Sequence, residues 1–174
     1  AKTLSSTKPQ VIIIMGSISD KEVMSEAATV LNEFQIPYEI GVYSAHRTPE
    51  RSAKLASEAE KRGVKVLIAG AGAAAHLAGA MAAHSCLPVI GVPLSATSLG
   101  GMDSLLATVQ MPAGFPVATV AIGKAGARNA AHLAAQIIAT SDETIRNKIH
   151  EFRQKKAREV IEASEKLTRE LQQG

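Results

Sequence analysis

Five short runs, Val11–Met15, Glu39–Tyr43, Val64–Ala69, Pro88–Val92 and Val117–Ile122, recur roughly every 25 residues and are rich in β-branched and other apolar side chains. Several are apolar almost throughout instead of alternating, which is the pattern of parallel strands covered on both faces. Helical spacing fills the gaps. Val23, Met24, Ala27, Ala28, Leu31 and Phe34 would share one helix face. Thr48 followed by Pro49 reads as an N-cap with proline at the first helical position, and Gly63 as a left-handed stop. Further helices are expected over about 75–85, 102–111 and 126–139. Strands alternating with helices predict an α/β fold: a doubly wound parallel sheet with right-handed crossovers, taking ligands at the carboxyl ends of its strands.

The remainder, about 142–172, has a different texture. Ile145, Ile149, Phe152, Val160, Ile161, Leu167 and Leu171 form an apolar stripe on a heavily charged helix; the last 33 positions of the chain carry 8 basic and 7 acidic groups. Thr140 and Glu143 have capping-box spacing. The helix is too long to lie wholly on a sheet of five short strands. It reads either as an arm on another subunit or as a helix folded back on its own domain. No linker or internal repeat divides the chain, so residues 11–174 are expected to form one domain, with 1–10 as a loose N-terminal arm.

Three of the expected strands end in loops whose residue types suit chemistry. The first is Gly16-Ser-Ile-Ser-Asp20. Its hydroxyls, Ser17 and Ser19, and the free N–H groups of the next helix can hold an anion, with Asp20 at the helix start; plain capping accounts for the same residues. The second is Tyr43-Ser-Ala-His-Arg-Thr-Pro-Glu50. Ser44 can hydrogen-bond a ligand, Arg47 can grip phosphate or carboxylate in bidentate fashion, and His46 titrates near neutrality, which suits a general acid–base. The third, Ala69-Gly-Ala-Gly-Ala-Ala-Ala-His-Leu-Ala-Gly79, brings small residues and His76 to the end of the third strand. Its Gly70-x-Gly72-x-x-Ala75 spacing resembles a dinucleotide fingerprint only formally. It follows the wrong strand and lacks the later acidic partner, so close approach of the backbone to a planar ligand is the better reading.

Other function classes lack their signatures. The net charge of +3 comes without a one-signed basic patch, and aromatics total 3%, so base-stacking surfaces for nucleic acid are not expected. There is no GxxxxGK[ST] loop for ATP, no nucleophile elbow and no metal-ligand spacing among the five histidines. The single cysteine, Cys86, allows no internal disulfide and suits a reducing cytoplasm. No apolar run reaches the roughly 18 residues of a spanning helix. The 30 alanines hint at close helix or subunit packing.

Taken in order, "MGSISD", "SAHRTPE", "AGAGAAAHLAG", "LPVIGVP", "MDSLLATVQMP" and "PVATVAIGKAGARNAAHLAAQI" resemble the PurE family, and among its members the class I N5-carboxyaminoimidazole ribonucleotide mutases of purine biosynthesis. The likeness runs from about Val11 to Ile138. It implies a flavodoxin-like three-layer αβα sandwich with a central parallel sheet, assembled as a homo-octamer with inter-subunit active sites. It implies conversion of N5-carboxyaminoimidazole ribonucleotide to 4-carboxy-5-aminoimidazole ribonucleotide without cofactor, metal or ATP. On the family pattern Ser17, Ser19, Asp20 and Arg47 hold the ribose phosphate. Ser44, His46, Ala71, Gly72, His76 and Leu77 surround the imidazole and the migrating carboxylate, with His46 as the proton carrier. The chain departs from the pattern at Lys21, where the family usually has Trp, at Ala73 for Gly and at Ala78 for Pro. Direct carboxylation of aminoimidazole ribonucleotide by CO2, a non-catalytic nucleotide- or flavin-binding module, and a paralogue with a changed substrate are the competing readings.

Overall fold

The computed structural model describes residues 8–172. Five parallel strands, β1 (Val11–Met15), β2 (Tyr38–Val42), β3 (Val66–Gly72), β4 (Val89–Leu94) and β5 (Ala118–Thr119), lie in the order β2-β1-β3-β4-β5. Helices α1 (Lys21–Glu33), α2 (Pro49–Ala59), α3 (Leu77–His84), α4 (Met102–Val109) and α5 (Lys124–Ala139) alternate with them, and α6 (Glu143–Gln172) closes the chain. This is the flavodoxin-like α/β fold.

The period-two geometry of a strand divides the core into two layers. Val11, Ile13 and Met15 of β1 face α1, α5 and the start of α6; Ile12 and Ile14 face α2 and α3. All five β1 residues are buried. Each such side chain removed from water contributes about 1.5–3 kcal/mol before chain entropy is counted. Alanine serves the α5 layer: Ala127, Ala130, Ala131, Ala134 and Ala135 have no exposed area, so the helix axis can approach the sheet closely. Gly126 continues that contact, because a Cβ there would sit 1.6 Å from the Ala121 carbonyl oxygen.

Several local expectations need correction. The fifth strand is two residues long, not six. Its run still follows β4, with Val120 N–H donating to Gly91 O and Gly123 N–H to Pro93 O, outside the regular ladder. Thr140 and Glu143 do not form a capping box. Thr140 Oγ1 donates to Ile137 O within α5, and Asp142 caps α6 by accepting from Ile145 N–H. Thr48 occupies the N-cap position of α2 without capping it; its Oγ1 donates instead to Ser44 O and accepts from Ser44 N–H. Gly63 is left-handed as expected, after a 3-10 turn at Glu60–Arg62. The N-terminal arm lies outside the described residues as far as residue 7; Gln10 bonds to Pro37 and Lys65 at the foot of the sheet.

For α6 the folded-back reading holds over the first third of the helix. Ile145 is buried, and Ile149 and Phe152 pack on the core, whereas Val160, Ile161, Leu167 and Leu171 are exposed. Among the described residues no helix is long and apolar enough to cross a membrane.

Candidate active site

The strand order reverses direction between β1 and β3, and such a switch point opens a crevice at the carboxyl ends of the strands. Here the crevice is a cavity of about 360 Å³. All ten residues singled out from the sequence line it: Ser17, Ser19 and Asp20 after β1; Ser44, His46 and Arg47 after β2; Ala71 and Gly72 at the end of β3, with His76 and Leu77 where α3 begins.

After β1 the ladder runs one residue further, Gly16 N–H donating to Gly70 O, and then breaks into a 3-10 turn at Ile18–Asp20. Ser17 caps that turn. Its Oγ accepts from Ser19 N–H and lies 2.9 Å from Ser19 Oγ. Two hydroxyls therefore sit together at the N-terminus of α1, where the dipole and free amides favour an anion. Asp20 is the N-cap residue of α1, but its side chain makes no capping bond. Partial burial pushes its carboxyl above the usual range, against the smaller opposing effect of a backbone hydrogen bond from Ser17.

The second loop is tied down by its own residues. Ser44 Oγ accepts from Arg47 N–H at 3.1 Å and lies 3.4 Å from Arg47 Nε. Arg47 Nη2 donates to Gly16 O at 2.9 Å, which locks the β2 loop to the end of β1. That spends part of a fork of five donors and aims the rest at the rim. His46 leans the other way: its Nε2 lies 2.7 Å from His76 Nδ1, with the rings edge to face at 4.9 Å. One imidazole must donate and the other accept, so a single proton sits between them. His76 is the N-cap residue of α3 rather than a residue inside it.

The third loop closes the floor. Gly72 is required by close approach, since a Cβ there would meet Ala96 Cβ at 2.5 Å. Ala73 and Ala75 hold φ of 52° and 39°, the left-handed region that favours glycine. Ala45, Ala75 and Ala96 also line the cavity and were not among the residues picked from the sequence. Ala96 follows a fully buried strand; the small polar stretch Ser95-Ala-Thr-Ser98 was the only signal that could have marked it. An adjoining hollow beyond Arg47 is lined in addition by Arg51, whose guanidinium lies 4.1 Å from the Tyr43 ring centre and donates to Val42 O.

Comparison with known proteins agrees with this geometry. A family model described as AIR carboxylase matches residues 10–159. A relative from Bacillus subtilis, named N5-carboxyaminoimidazole ribonucleotide mutase, is 54% identical over 160 residues, covering 92% of this chain and 99% of its own. One of the same name from Pyrococcus horikoshii is 52% identical over 165 residues, covering 95% of this chain and 92% of its own. Among solved structures, Treponema denticola PurE superposes with a TM-score of 0.83 at 32% identity, covering 91% of this chain and 98% of that one. With matched sequence, matched fold and a crevice at the switch point, this chain belongs to the AIR carboxylase family, the PurE family of the sequence resemblance.

Proposed function

We propose that this chain is an isomerase that moves the carboxyl group of N5-carboxyaminoimidazole ribonucleotide from the exocyclic nitrogen to C4, giving 4-carboxy-5-aminoimidazole ribonucleotide. The observation that carries the reading is the His46–His76 pair beside an anchored Arg47 and two capping hydroxyls, all in one cavity. An anion grip and a proton carrier therefore line one cavity. The names of the relatives supply the substrate.

The chemistry follows from the groups present. His46, protonated, gives its proton to the carbamate nitrogen. The N–C bond breaks and releases CO2, leaving an electron-rich aminoimidazole. C4 of that ring attacks CO2, a C–C bond forms, and the C4 proton returns to His46. Protons balance, and the carboxyl is only relocated, so neither ATP, metal nor biotin is required. His76 steadies the His46 ring and shares its proton. Ser17, Ser19 and Arg47 take the phosphate. Asp20, a carboxylate, would repel phosphate and suits the ribose hydroxyls instead. Ser44, Ala71, Gly72 and Leu77 border the ring and the migrating carboxylate. Phosphate binding remote from the reacting atoms holds C4 and CO2 in register, which is worth more than either group alone.

CO2 must not diffuse away between the two steps. His46, Arg47 and His76 are exposed on a single chain, so a covering element from a second copy fits the need. This supports the homo-octamer with shared sites that the family likeness implies. The deciding assay supplies the carbamate nucleotide without ATP and follows the C4-carboxylate. Conversion above the spontaneous background is expected, and its absence overturns the reading. A rate that depends on bicarbonate and ignores the carbamate would instead identify a direct carboxylase.

A further inference from the structure

Helices α1 and α5 each follow a strand of an all-parallel sheet, so both begin at its carboxyl edge and run in the same direction. Two ion pairs tie them together. Lys124 Nζ donates to Glu22 Oε1, and Arg128 Nη1 donates to Glu26 Oε2 at 3.0 Å. Both pairs span 102 residues, and each helix spaces its two members four positions apart, so the pairs are successive rungs one turn from each other. The upper rung stands at the rim of the sheet: Lys124 is the first residue of α5, and Glu22 lies in the first turn of α1.

Fold stability does not account for that rung. A cation in the first turn of a helix opposes the macrodipole, and α5 has no acidic residue in its first turn to offset Lys124. Side-chain exposure is 54% for Lys124 and 80% for Glu22, and an ion pair so open to water adds little. Glu22 agrees with the dipole of α1, but it shares the first turn with the free amides beside Ser17 and Ser19. A phosphate arriving there meets a carboxylate competing for the same positive helix end. The hydrogen bond and charge of Lys124 hold the Glu22 carboxyl below its usual range, and Glu22 in turn raises the Lys124 amine. The carboxylate is therefore present at neutral pH, and it is turned toward α5.

We infer that Lys124 is a positioning residue for the substrate phosphate: it draws the Glu22 carboxylate across to α5 and cancels its charge, which leaves the N-terminus of α1 to the anion. The inference rests on the phosphate grip proposed above at Ser17, Ser19 and Arg47. Lys124 does not line the cavity, so it acts through Glu22 and not by touching the ligand. The Arg128–Glu26 rung lies about 5.4 Å further down the helices and serves only to join them. The two rungs thus have the same chemistry and different distances from the phosphate, which makes the lower one a control for the upper.

The test is the dissociation constant of the nucleotide 4-carboxy-5-aminoimidazole ribonucleotide, titrated into the full chain at low ionic strength. Lys124→Met leaves Glu22 unopposed and should weaken binding about two- to fivefold. Glu22→Gln should tighten it by a similar factor, and the double variant should return to the parent value. Arg128→Met should leave the constant unchanged, although it removes the other rung. These side chains are partly or largely exposed, so the variants fold, and urea midpoints check that. The differences should fade in about 1 M salt, where the screening length is about 3 Å, and should be absent for the nucleoside that lacks the phosphate. In turnover, Lys124→Met should raise KM by the same factor with kcat unchanged. A loss in Lys124→Met that Glu22→Gln does not restore would make Lys124 a direct contact or a strut, and an equal loss in Arg128→Met would reduce both rungs to helix docking; either overturns the inference. If the variants bind in the expected order but the parent does not convert the carbamate nucleotide, the isomerase reading falls and this one stands. A parent that binds no nucleotide overturns both.

Discussion

The rim of the sheet and the α5 layer beneath it use small residues for opposite ends. In α5, alanines and Gly126 let a helix settle against β3, β4 and Ala121, and the area they save from water holds the fold together. At the rim, Ala71, Gly72 and Ala73 leave space, and His46 and Arg47 stay exposed with few apolar contacts. Substitutions should therefore separate cleanly: stability is lost below, turnover above. Gly126→Val is the most severe case below. Its Cβ would overlap the Ala121 backbone, which cannot step aside as a flexible side chain could. A loss of about 4 kcal/mol or more is expected, seen as failure to recover folded protein or a collapse of the urea midpoint. A folded, stable variant would show that the α5 contact is not what holds that layer.

Above the sheet, His46→Asn should lower kcat by about 10²–10⁴ while nucleotide binding and the unfolding midpoint stay near the parent values. Unchanged turnover would remove His46 as proton carrier. Arg47→Ala comes next. Losing a charge-assisted grip on phosphate costs about 1.5–3 kcal/mol, read as a KM rise of roughly ten- to a hundredfold. Because Arg47 also binds Gly16 O, a modest fall in stability should accompany it. If KM holds and only stability moves, Arg47 is a strut and not a substrate contact.

The same contrast explains what could be read from the sequence. The β1 run needed no tertiary knowledge: a strand buried on both faces is apolar at every position, and Val11–Met15 is placed to the residue. The motif loops were legible because hydroxyl, imidazole and guanidinium groups clustered where strands end. What was not legible depended on through-space packing. The fifth strand keeps only two ladder residues, beside the tight approach of Gly126 to Ala121. The capping of α6 passes to Asp142 because Thr140 is used by α5. The His46–His76 contact spans 30 residues and leaves no local signature. Ala96, an apolar wall residue, carries no chemistry of its own to notice.

Ala73 tests the boundary between the two regions. It lines the cavity at φ 52°, where glycine is the usual family residue. An alanine there costs about 1–2 kcal/mol, and glycine returns about 0.4–1 kcal/mol of that as extra freedom in the unfolded chain. Ala73→Gly should therefore be stabilising by about 0.5 kcal/mol, with a small change in KM as a methyl leaves the wall. A clear loss of stability would mean that the methyl is packed and the loop belongs with the layer beneath.

The smallest expected effect concerns His132, on the α5 side. Its ring stands edge-on to Phe34 at 5.5 Å and against Phe152 at 4.8 Å. Burial lowers its pKa from the ordinary 6.5; Glu33 on α1 opposes this, while Arg128 on α5 and Arg153 on α6 add to it. The unfolded chain then binds more protons than the folded one below about pH 6.5, so stability rises with pH. The contribution of the neutral imidazole is fully present above the unfolded value and fades as pH falls toward the folded one. His132→Phe keeps the aromatic packing and removes the titration. Urea unfolding between about pH 7.5 and pH 5 should show the parent losing stability relative to the variant on acidification. Parallel curves would show that the ring takes up its proton without disturbing the contact between α1, α5 and α6. An effect on stability here without an effect on kcat would keep the two regions distinct, since His132 lies outside the cavity that holds His46 and His76.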